Sequence, residues 1–204
     1  MRASFDFTKY IAILEAQGRE LFNPNFKILG EDYEIIFQLL VYFLKDTENA
    51  AKYNISFRKG ILLSGPVGCG KTSLLNLLKY TLPQPVRYIV KSCREVNFEF
   101  IQDGYSVIRK YSTLSFNKEI PKAYCFDDLG TEDNLKYFGN DCNAMAEILI
   151  SRYDLFVSKK MITHITSNLT GSEMEEYYGI RVRSRMREMF NLISFNSEAK
   201  DKRC

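Results

Sequence analysis

The segment "GPVGCGKT", residues 65–72, constrains the fold of this chain more than any other part of its sequence. It follows an apolar run, "GILLS", directly and leads directly into "TSLLNLLKY", a run of helix-forming residues. Its glycines allow the backbone to wrap tightly, so that successive N–H groups and a helix N-terminus face the same point. The sequence therefore predicts a strand, a tight loop and a helix, the local structure that binds an anion.

The same segment fits the pattern G-x-x-x-x-G-K-[ST], which in this context predicts binding of a nucleoside triphosphate such as ATP. We expect the nucleotide to contact a continuous run of residues: Gly65, Pro66, Val67, Gly68, Cys69, Gly70, Lys71, Thr72 and Ser73. Lys71 would contact the β- and γ-phosphates, and the Thr72 hydroxyl would ligate Mg²⁺. The alternative is a glycine-rich turn that matches by chance, and the flanking strand and helix argue against it.

A second segment, "AYCFDDLG", is a continuously apolar strand that ends in two carboxylates. An acid at the carboxyl end of a strand beside the phosphate loop can hold Mg²⁺ through its water shell, and we assign this role to Asp127. Asp128 would then polarise the attacking water. The alternative is an ordinary exposed strand end with a turn-forming aspartate.

A third segment, "MITHITSN", is an apolar strand that ends in polar residues. Parallel strands would bring Asn168 level with Asp127, where its amide would orient the water or the γ-phosphate. A strand-capping loop is the alternative for this short motif. His164 lies inside the strand, and we expect it to be a structural histidine.

A fourth segment, "GIRVRSRMREMF", places arginines at alternate positions: Arg181, Arg183, Arg185 and Arg187. Alternation fits a strand with one charged face, whereas the residue types favour a helix that begins after Gly179. On a helix, Arg181 and Arg185 share one face and the other two arginines share another. An apolar stripe would separate the two pairs: Val182, Met186, Met189 and Phe190. Taken alone, the segment is explained by a solvated, salt-bridged helix face.

The remaining pattern indicates an α/β fold, a three-layer α-β-α sandwich around a five-stranded parallel sheet. Strands are predicted at 60–64, 87–92, 123–127, 161–167 and 192–195, with helices after each of the first four. We divide the chain into a helical N-terminal lead-in, residues 1–58, and a nucleotide-binding domain, residues 59–204. The lead-in is predicted to contain helices at 6–21 and about 32–45, and the polar C-terminal tail after residue 195 is expected to fray.

Composition excludes several other classes of protein. The net charge of +3 on 204 residues neither requires nor excludes a nucleic-acid partner. The five cysteines form no C-x-x-C pair and the only histidine is His164, so neither a disulfide framework nor a zinc site is expected. The longest apolar run, residues 35–44, is too short to cross a bilayer, and no signal peptide is visible. We expect a cytoplasmic protein without a membrane partner.

The order of these motifs resembles that of the AAA+ ATPases, and within them it is most similar to the DnaC/DnaI-type helicase loaders and IstB-type transposition helpers. The resemblance covers roughly residues 58–195 and is carried by "GPVGCGKTSLL", "FDDLG", "THITSNL" and "YGIRVRSRMREMFNLISF". It implies the AAA+ core fold, hydrolysis of ATP with Mg²⁺, and a homo-oligomer whose active sites lie between subunits. It also implies a role in DNA replication or mobile-element DNA metabolism, with a replicative helicase or a transposase as partner.

By the same resemblance, Arg185 in "SRM" falls at the arginine finger, which reaches the γ-phosphate of a neighbouring subunit. Arg181, one turn earlier, is the alternative or auxiliary finger. The sequence departs from the family at Asp128, where many hydrolytic relatives have glutamate, so hydrolysis is expected to be slow or partner-stimulated. No C-terminal helical lid is expected, and the lead-in is short for a helicase-binding domain.

A DNA-binding surface is predicted in "KSCREVNFEFIQDGYSVIRKYS", residues 91–112. It combines basic residues with tyrosines, a combination that can follow a single-stranded backbone and stack on bases. The candidate DNA contacts are Lys91, Arg94, Arg109 and Lys110. The alternative is an amphipathic helix with a solvated face.

Two other functions remain open from the sequence. One is a nucleotide-gated adaptor that binds ATP and scarcely hydrolyses it, and the other is a small-molecule kinase with a phosphate loop. Turnover separates the adaptor from the ATPase, and phosphate transfer to a small acceptor would identify the kinase.

Overall fold

The computed structural model describes residues 5–82, 87–132, 135–137 and 140–202. The helices are α1 (Phe7–Leu21), α2 (Tyr33–Phe43), α3 (Thr47–Lys52), α4 (Lys71–Thr81), α5 (Cys93–Asp103), α6 (Tyr105–Tyr111), α7 (Ala144–Lys159) and α8 (Gly171–Met189), with a 3₁₀ helix at Gly30–Asp32. The strands are β1 (Gly60–Ser64), β2 (Ile89–Ser92), β3 (Phe116–Asn117), β4 (Ile120–Pro121), β5 (Tyr124–Leu129), β6 (Leu135–Tyr137), β7 (Asn140–Cys142), β8 (Thr163–Ser167) and β9 (Phe190–Ser194).

Five strands form a central sheet in the order β2-β5-β8-β1-β9, and all neighbouring pairs are parallel. Parallel neighbours need crossover connections, which the helices between these strands supply. Two short antiparallel hairpins, β3-β4 and β6-β7, lie outside this sheet. The predicted five-stranded parallel sheet is therefore confirmed.

Each face of the sheet is covered by a separate hydrophobic cluster. Ile61 and Leu63 of β1 belong to the cluster that contains buried residues of α1, α2 and α4. Leu62, between them, belongs to the cluster that contains buried residues of α5, α7 and α8. This alternation is what a central strand with two covered faces requires, and it gives the three-layer sandwich.

The register of the sheet brings the carboxyl ends of the strands to one edge. Ser64 at the end of β1 pairs with Ser167 at the end of β8, and Ser92 at the end of β2 pairs with Asp127 in β5. The phosphate loop follows β1, Asn168 follows β8, and Asp128 is the residue before the last in β5, so all three lie at this edge. Ligands of open α/β sheets bind at this edge.

Several predicted boundaries were wrong by a few residues. β9 begins directly after α8, at Phe190 rather than residue 192, and β2 begins at Ile89 rather than residue 87. The segment 91–112 contains two helices, α5 and α6, which are separated at Gly104 with a φ of 59°. Across the described residues, none of the helices combines the length and apolar character needed to span a membrane.

Candidate active site

The phosphate loop connects β1 to α4 with a backbone that glycine favours. Gly68 and Gly70 have φ angles of 82° and 97°, in the left-handed region that residues with a Cβ avoid. α4 begins at Lys71, and no side chain of the described residues caps its N-terminus. The first N–H groups of α4 are therefore available to an anion, as the sequence predicts.

Lys71 joins the phosphate loop to the end of β8. Its ammonium group donates hydrogen bonds to the carbonyl oxygens of Gly65 at 2.8 Å and Pro66 at 2.7 Å, and to Oδ1 of Asn168 at 2.5 Å. Only 4% of Lys71 is exposed. All three of these acceptors are uncharged, so an incoming phosphate would be a stronger partner for the ammonium group.

Thr72 and Asp127 form the second link between motifs. The Thr72 hydroxyl lies 2.9 and 3.0 Å from the two carboxylate oxygens of Asp127, and the Thr166 hydroxyl donates to Oδ1 of Asp127 at 2.7 Å. Burial raises the pKa of the Asp127 carboxyl, and the hydrogen bonds from the two threonines act in the opposite direction. A hydroxyl oxygen and a carboxylate in contact are the hard oxygen ligands that fit Mg²⁺.

Asp128 lies at an irregularity in the sheet. The register between β5 and β8 shifts between Phe126 and Leu129, and Asp128 has a φ of 56°. Its backbone N–H donates to the Thr166 hydroxyl at 2.8 Å. A non-glycine residue in the left-handed region is strained, and such strain concentrates at functional sites.

Glu132 is a functional candidate that the sequence interpretation missed. It follows Asp128 in the turn after β5 and is only 2% exposed. Oε2 accepts a hydrogen bond from the Gly130 N–H at 2.9 Å, and Oε1 accepts one from the Tyr178 hydroxyl. The only sequence signal for Glu132 is its place in the acidic run "DDLGTED", which otherwise indicates a polar loop.

α8 consists of two helical halves joined at Gly179. Gly179 has φ 81° and ψ 158°, which is not a helical conformation, and the arginines follow in the second half. The second half is helical to Met189, which confirms the helical interpretation, although Phe190 already belongs to β9. The predicted apolar stripe is buried: Val182, Met186, Met189 and Phe190. Thr170 caps the first half together with Glu173.

Arg185, the residue proposed as the finger, contacts α7 and its own helix. The Arg185 guanidinium lies 5.0 Å from the ring centroid of Tyr153 in α7, and its Nη1 donates to the Arg181 carbonyl oxygen at 3.5 Å. Arg181 is exposed and Arg185 is half-buried. Within one subunit, then, the structure links Lys71, Thr72, Asp127 and Asn168 to one another, whereas Arg185 contacts α7 and its own helix.

A cavity of about 940 Å³ lies beside the phosphate loop. Its wall includes Phe26 and Asp32 of the lead-in, Gly70 of the loop, and Phe195 and Lys202 near the C-terminus. Such a volume accommodates a small ligand such as a base and ribose.

The C-terminal tail forms one side of this cavity, so the expectation that it frays was wrong for residues 199–202. The Lys202 N–H donates to the Gly68 carbonyl oxygen at 3.0 Å, and its ammonium group lies 2.5 and 2.6 Å from the carboxylate oxygens of Asp32. Through these contacts the tail connects the phosphate loop to the lead-in.

The predicted DNA-binding segment is partly neutralised by its own acids. Glu99 pairs with Lys91 at 3.0 Å and with Lys110 at 2.8 Å. Arg94 and Arg109 are exposed, and Arg94 lies over the ring of Phe98. Two of the four candidate cations are therefore less available to phosphate than the sequence suggests.

Comparison of the sequence with models of protein families gave no match, and comparison with curated proteins gave none of significance. The structure is similar to that of a DnaC helicase loader, with 17% identity, a TM-score of 0.54, and coverage of 85% of this chain and 95% of that one. It is similar to DnaI, with 21% identity, a TM-score of 0.50, and coverage of 78% and 94%. It is also similar to the replication initiator DnaA bound to AMPPCP and single-stranded DNA, with 17% identity and a TM-score of 0.53 over 88% of this chain and 50% of DnaA.

At these identities the similarity is one of fold. It extends over most of this chain and nearly the full length of the DnaC and DnaI structures. The resemblance to the DnaC and DnaI structures is therefore confirmed for the fold.

Proposed function

We propose that this chain is an AAA+ ATPase of the helicase-loader and transposition-helper type, which acts in DNA replication or mobile-element DNA metabolism. The observation that carries the proposal is the pair of links between motifs, from Lys71 to Asn168 and from Thr72 to Asp127. These links join the ends of β1, β5 and β8 into one polar site. The fold shared with DnaC, DnaI and DnaA supports the same conclusion.

The phosphates of ATP would bind along the loop that precedes α4, where Lys71 exchanges its uncharged acceptors for phosphate oxygens. The base and ribose would occupy the adjacent cavity between the lead-in and the C-terminal tail. The DnaA structure that resembles this one contains AMPPCP, an ATP analogue, which supports nucleotide binding by this fold.

Thr72 and Asp127 would hold Mg²⁺, because their oxygens are already in contact. When bound, the ion supplies positive charge to the phosphate oxygens. Asp128 would accept a proton from the attacking water, and Asn168 would orient that water or the γ-phosphate with its amide. Arg185, with Arg181 as the auxiliary, would stabilise charge on the γ-phosphate of a neighbouring subunit.

The proposed partners are a second copy of this chain, single-stranded DNA, and a replicative helicase or a transposase. A second copy is proposed because Arg185 packs on Tyr153 of α7 in its own subunit and would reach the γ-phosphate of a neighbour. Single-stranded DNA is present in the similar DnaA structure, and the similar DnaC protein is a helicase loader.

The test is to measure ATP affinity and phosphate release separately for Lys71→Ala and Asp128→Asn, each with single-stranded DNA present. Lys71→Ala should weaken ATP binding by about 10-fold to 100-fold, since it removes charged hydrogen bonds. Asp128→Asn should preserve affinity and lower turnover by about 100-fold or more. Lys159→Ala and Asp154→Asn, on the exposed part of α7, are the matched controls.

Each result discriminates between functions. Unchanged ATP affinity in Lys71→Ala would refute the phosphate-loop assignment, and undiminished turnover in Asp128→Asn would remove Asp128 from its role. ATP binding by the wild type without phosphate release would identify a nucleotide-gated adaptor. Transfer of phosphate to a small acceptor would identify a kinase.

A further inference from the structure

Glu132 connects the turn that contains Asp128 to the helix that leads to the arginines. One of its carboxylate oxygens accepts from the Gly130 N–H, two residues after Asp128, and the other accepts from the Tyr178 hydroxyl in α8. The Tyr177 hydroxyl also donates to the backbone carbonyl oxygen of Glu132. Two consecutive tyrosines of α8 are therefore bonded to one residue of the turn.

On the side that faces Asp128, Glu132 is hydrogen-bonded within a strained turn. The N–H and the hydroxyl of Thr131 both donate to the Asp128 carbonyl oxygen, at 3.2 and 2.7 Å. Together with the hydrogen bond from the Gly130 N–H to the Glu132 carboxylate, these two hydrogen bonds hold residues 128–132 in a compact turn. Asp128 holds its positive φ within that turn, and such strain persists only where the surroundings over-determine it.

At the other end, Glu132 is bonded to the residue that precedes the bend in α8. Tyr178 is 8% exposed, and the next residue, Gly179, separates the two halves of the helix. The second half carries Arg181 and Arg185. Hydrogen bonds and two peptide bonds thus connect the Asp128 turn to the start of the arginine-bearing helix.

The burial of Glu132 makes this connection costly to disrupt. A carboxylate that is 2% exposed is stable only if its oxygens are hydrogen-bonded. Burial also raises the pKa of the Glu132 carboxyl, and the Tyr178 hydrogen bond acts in the opposite direction. Removing either partner therefore leaves a buried polar group unsatisfied.

We infer that Glu132 is a positioning residue, which fixes the Asp128 turn against the first half of α8 and so couples the water-activating residue to the arginine-bearing helix. The inference rests on the proposed function. The links of the phosphate loop, Lys71 to Asn168 and Thr72 to Asp127, do not involve Glu132. Loss of Glu132 should therefore affect turnover and leave nucleotide binding intact.

The first test compares Glu132→Ala, Glu132→Gln and Tyr178→Phe in ATP affinity and in phosphate release. We expect Glu132→Ala and Tyr178→Phe to lower turnover by about tenfold or more at unchanged affinity, because the turn is free to move. Glu132→Gln, whose amide oxygen still accepts, should retain more activity than Glu132→Ala. Glu147→Ala and Tyr80→Phe, both at exposed positions, are the controls.

A double-mutant cycle with Asp128→Asn separates positioning from general destabilisation. If Glu132 acts through Asp128, Glu132→Ala should cause little further loss of turnover in the Asp128→Asn background. An equal fold-loss in both backgrounds would overturn the inference.

Amide hydrogen exchange tests the same contact without reference to activity. The N–H groups of Gly130 and Thr131, and those of residues 171–178, should exchange faster in Glu132→Ala and Tyr178→Phe than in the wild type. If the wild type hydrolyses no ATP, the proposed function fails, while faster exchange in both segments still supports the anchoring role. Unchanged exchange in these variants would overturn the inference whatever the activity.

Discussion

At the scale of single residues, His164 is a neutral imidazole enclosed in the sheet core. Its Nδ1 accepts a hydrogen bond from the Ile61 N–H at 3.2 Å, and its ring contacts those of Tyr42, Phe43 and Tyr88. Burial lowers the pKa of His164 to about 3. This environment supports the structural role predicted for His164.

His164 should make the stability of the protein depend on pH. The ordinary pKa is 6.5, so the unfolded chain binds a proton at a higher pH than the folded one does. The stabilisation that comes from keeping His164 neutral is fully present above about pH 6.5. Below that pH the free energy of unfolding falls by about 1.4 kcal/mol per pH unit, until the pH reaches the pKa of His164 in the folded protein. Urea denaturation between about pH 7 and pH 5 measures the slope.

The matched variant is His164→Gln, which keeps a hydrogen-bond acceptor and does not titrate. Because the sequence has no other histidine, the difference between the two slopes isolates this residue. The raised pKa values of Asp127 and Glu132 lower the stability as the pH rises, which is opposite to the effect of His164. They contribute equally to the wild type and to His164→Gln, so they cancel in the comparison. Equal slopes for the two proteins would contradict the assignment.

At the scale of elements, the bend in α8 determines the direction of its arginine-bearing half. A Cβ built on Gly179 would have no atom of the described residues within 4 Å, so the site has room for a side chain. The φ of 81° is nevertheless one that such a residue rarely adopts. A substitution at Gly179 thus acts on the backbone and not on packing.

Gly179→Ala should therefore displace the second half of α8 while the phosphate loop stays intact. We expect ATP affinity to be unchanged and turnover to fall by about 100-fold, the loss expected from a displacement of about 1 Å at a catalytic group. Gly30→Ala is the control, because Gly30 is equally open but has no positive φ. Wild-type turnover in Gly179→Ala would show that the bend does not position the arginines.

The helices α5 and α6 allow the DNA-binding proposal to be tested by charge. Replacing Arg94 and Arg109 with alanine should weaken binding to single-stranded DNA and reduce its salt slope by about 1.4, the value for two phosphate contacts. Glu99→Gln should strengthen binding, because it releases Lys110 from its ion pair and leaves Lys91 paired with Glu95 alone.

Fluorescence anisotropy over a range of salt concentrations measures both effects. Replacing Arg19 and Lys159 with alanine removes the same charge from other helices and serves as the control. If this control changes the salt slope as much as the α5–α6 variant, the effect comes from net charge and the surface lies elsewhere.

At the scale of the whole molecule, the fold was predictable because three motifs mark the ends of three parallel strands. Lys71, Asp127 and Asn168 were each assigned from their place after an apolar strand, and parallel pairing brings such ends to one edge whatever the strand order. Glu132 was not predictable, because its partner Tyr178 lies 46 positions away in the sequence. The contact of Lys202 with Gly68 was missed for the same reason, since polar tails carry no periodic signal.

The contacts of the lead-in were equally invisible in the sequence. Amphipathic patterns in α1 and α2 show that each helix buries one face, but not what covers it. In the structure Leu14 and Leu39 are fully buried in the same cluster as Leu75 of α4. The lead-in thus contributes to the layer that supports the phosphate loop.

Assembly is the property that most distinguishes the proposed ATPase from a self-contained enzyme. If Arg185 completes the site of a neighbour, turnover per subunit should rise with protein concentration, and Arg185→Ala should lower it by a factor on the order of 1,000. Lys71→Ala subunits bind no ATP productively but still carry Arg185. Mixing them with Arg185→Ala subunits should therefore restore activity, because one partner supplies the nucleotide site and the other the arginine.

Phosphate release against concentration, for each variant alone and for the mixture with single-stranded DNA present, measures this complementation. Lys59→Ala is the control, because the Lys59 ammonium group donates to the Arg187 carbonyl oxygen near the end of α8 without belonging to the proposed site. Two inactive variants can recover together only if one active site draws residues from two subunits. Activity independent of concentration, with no recovery on mixing, would mean that each subunit is self-contained and that Arg181 and Arg185 lie on a solvated helix face.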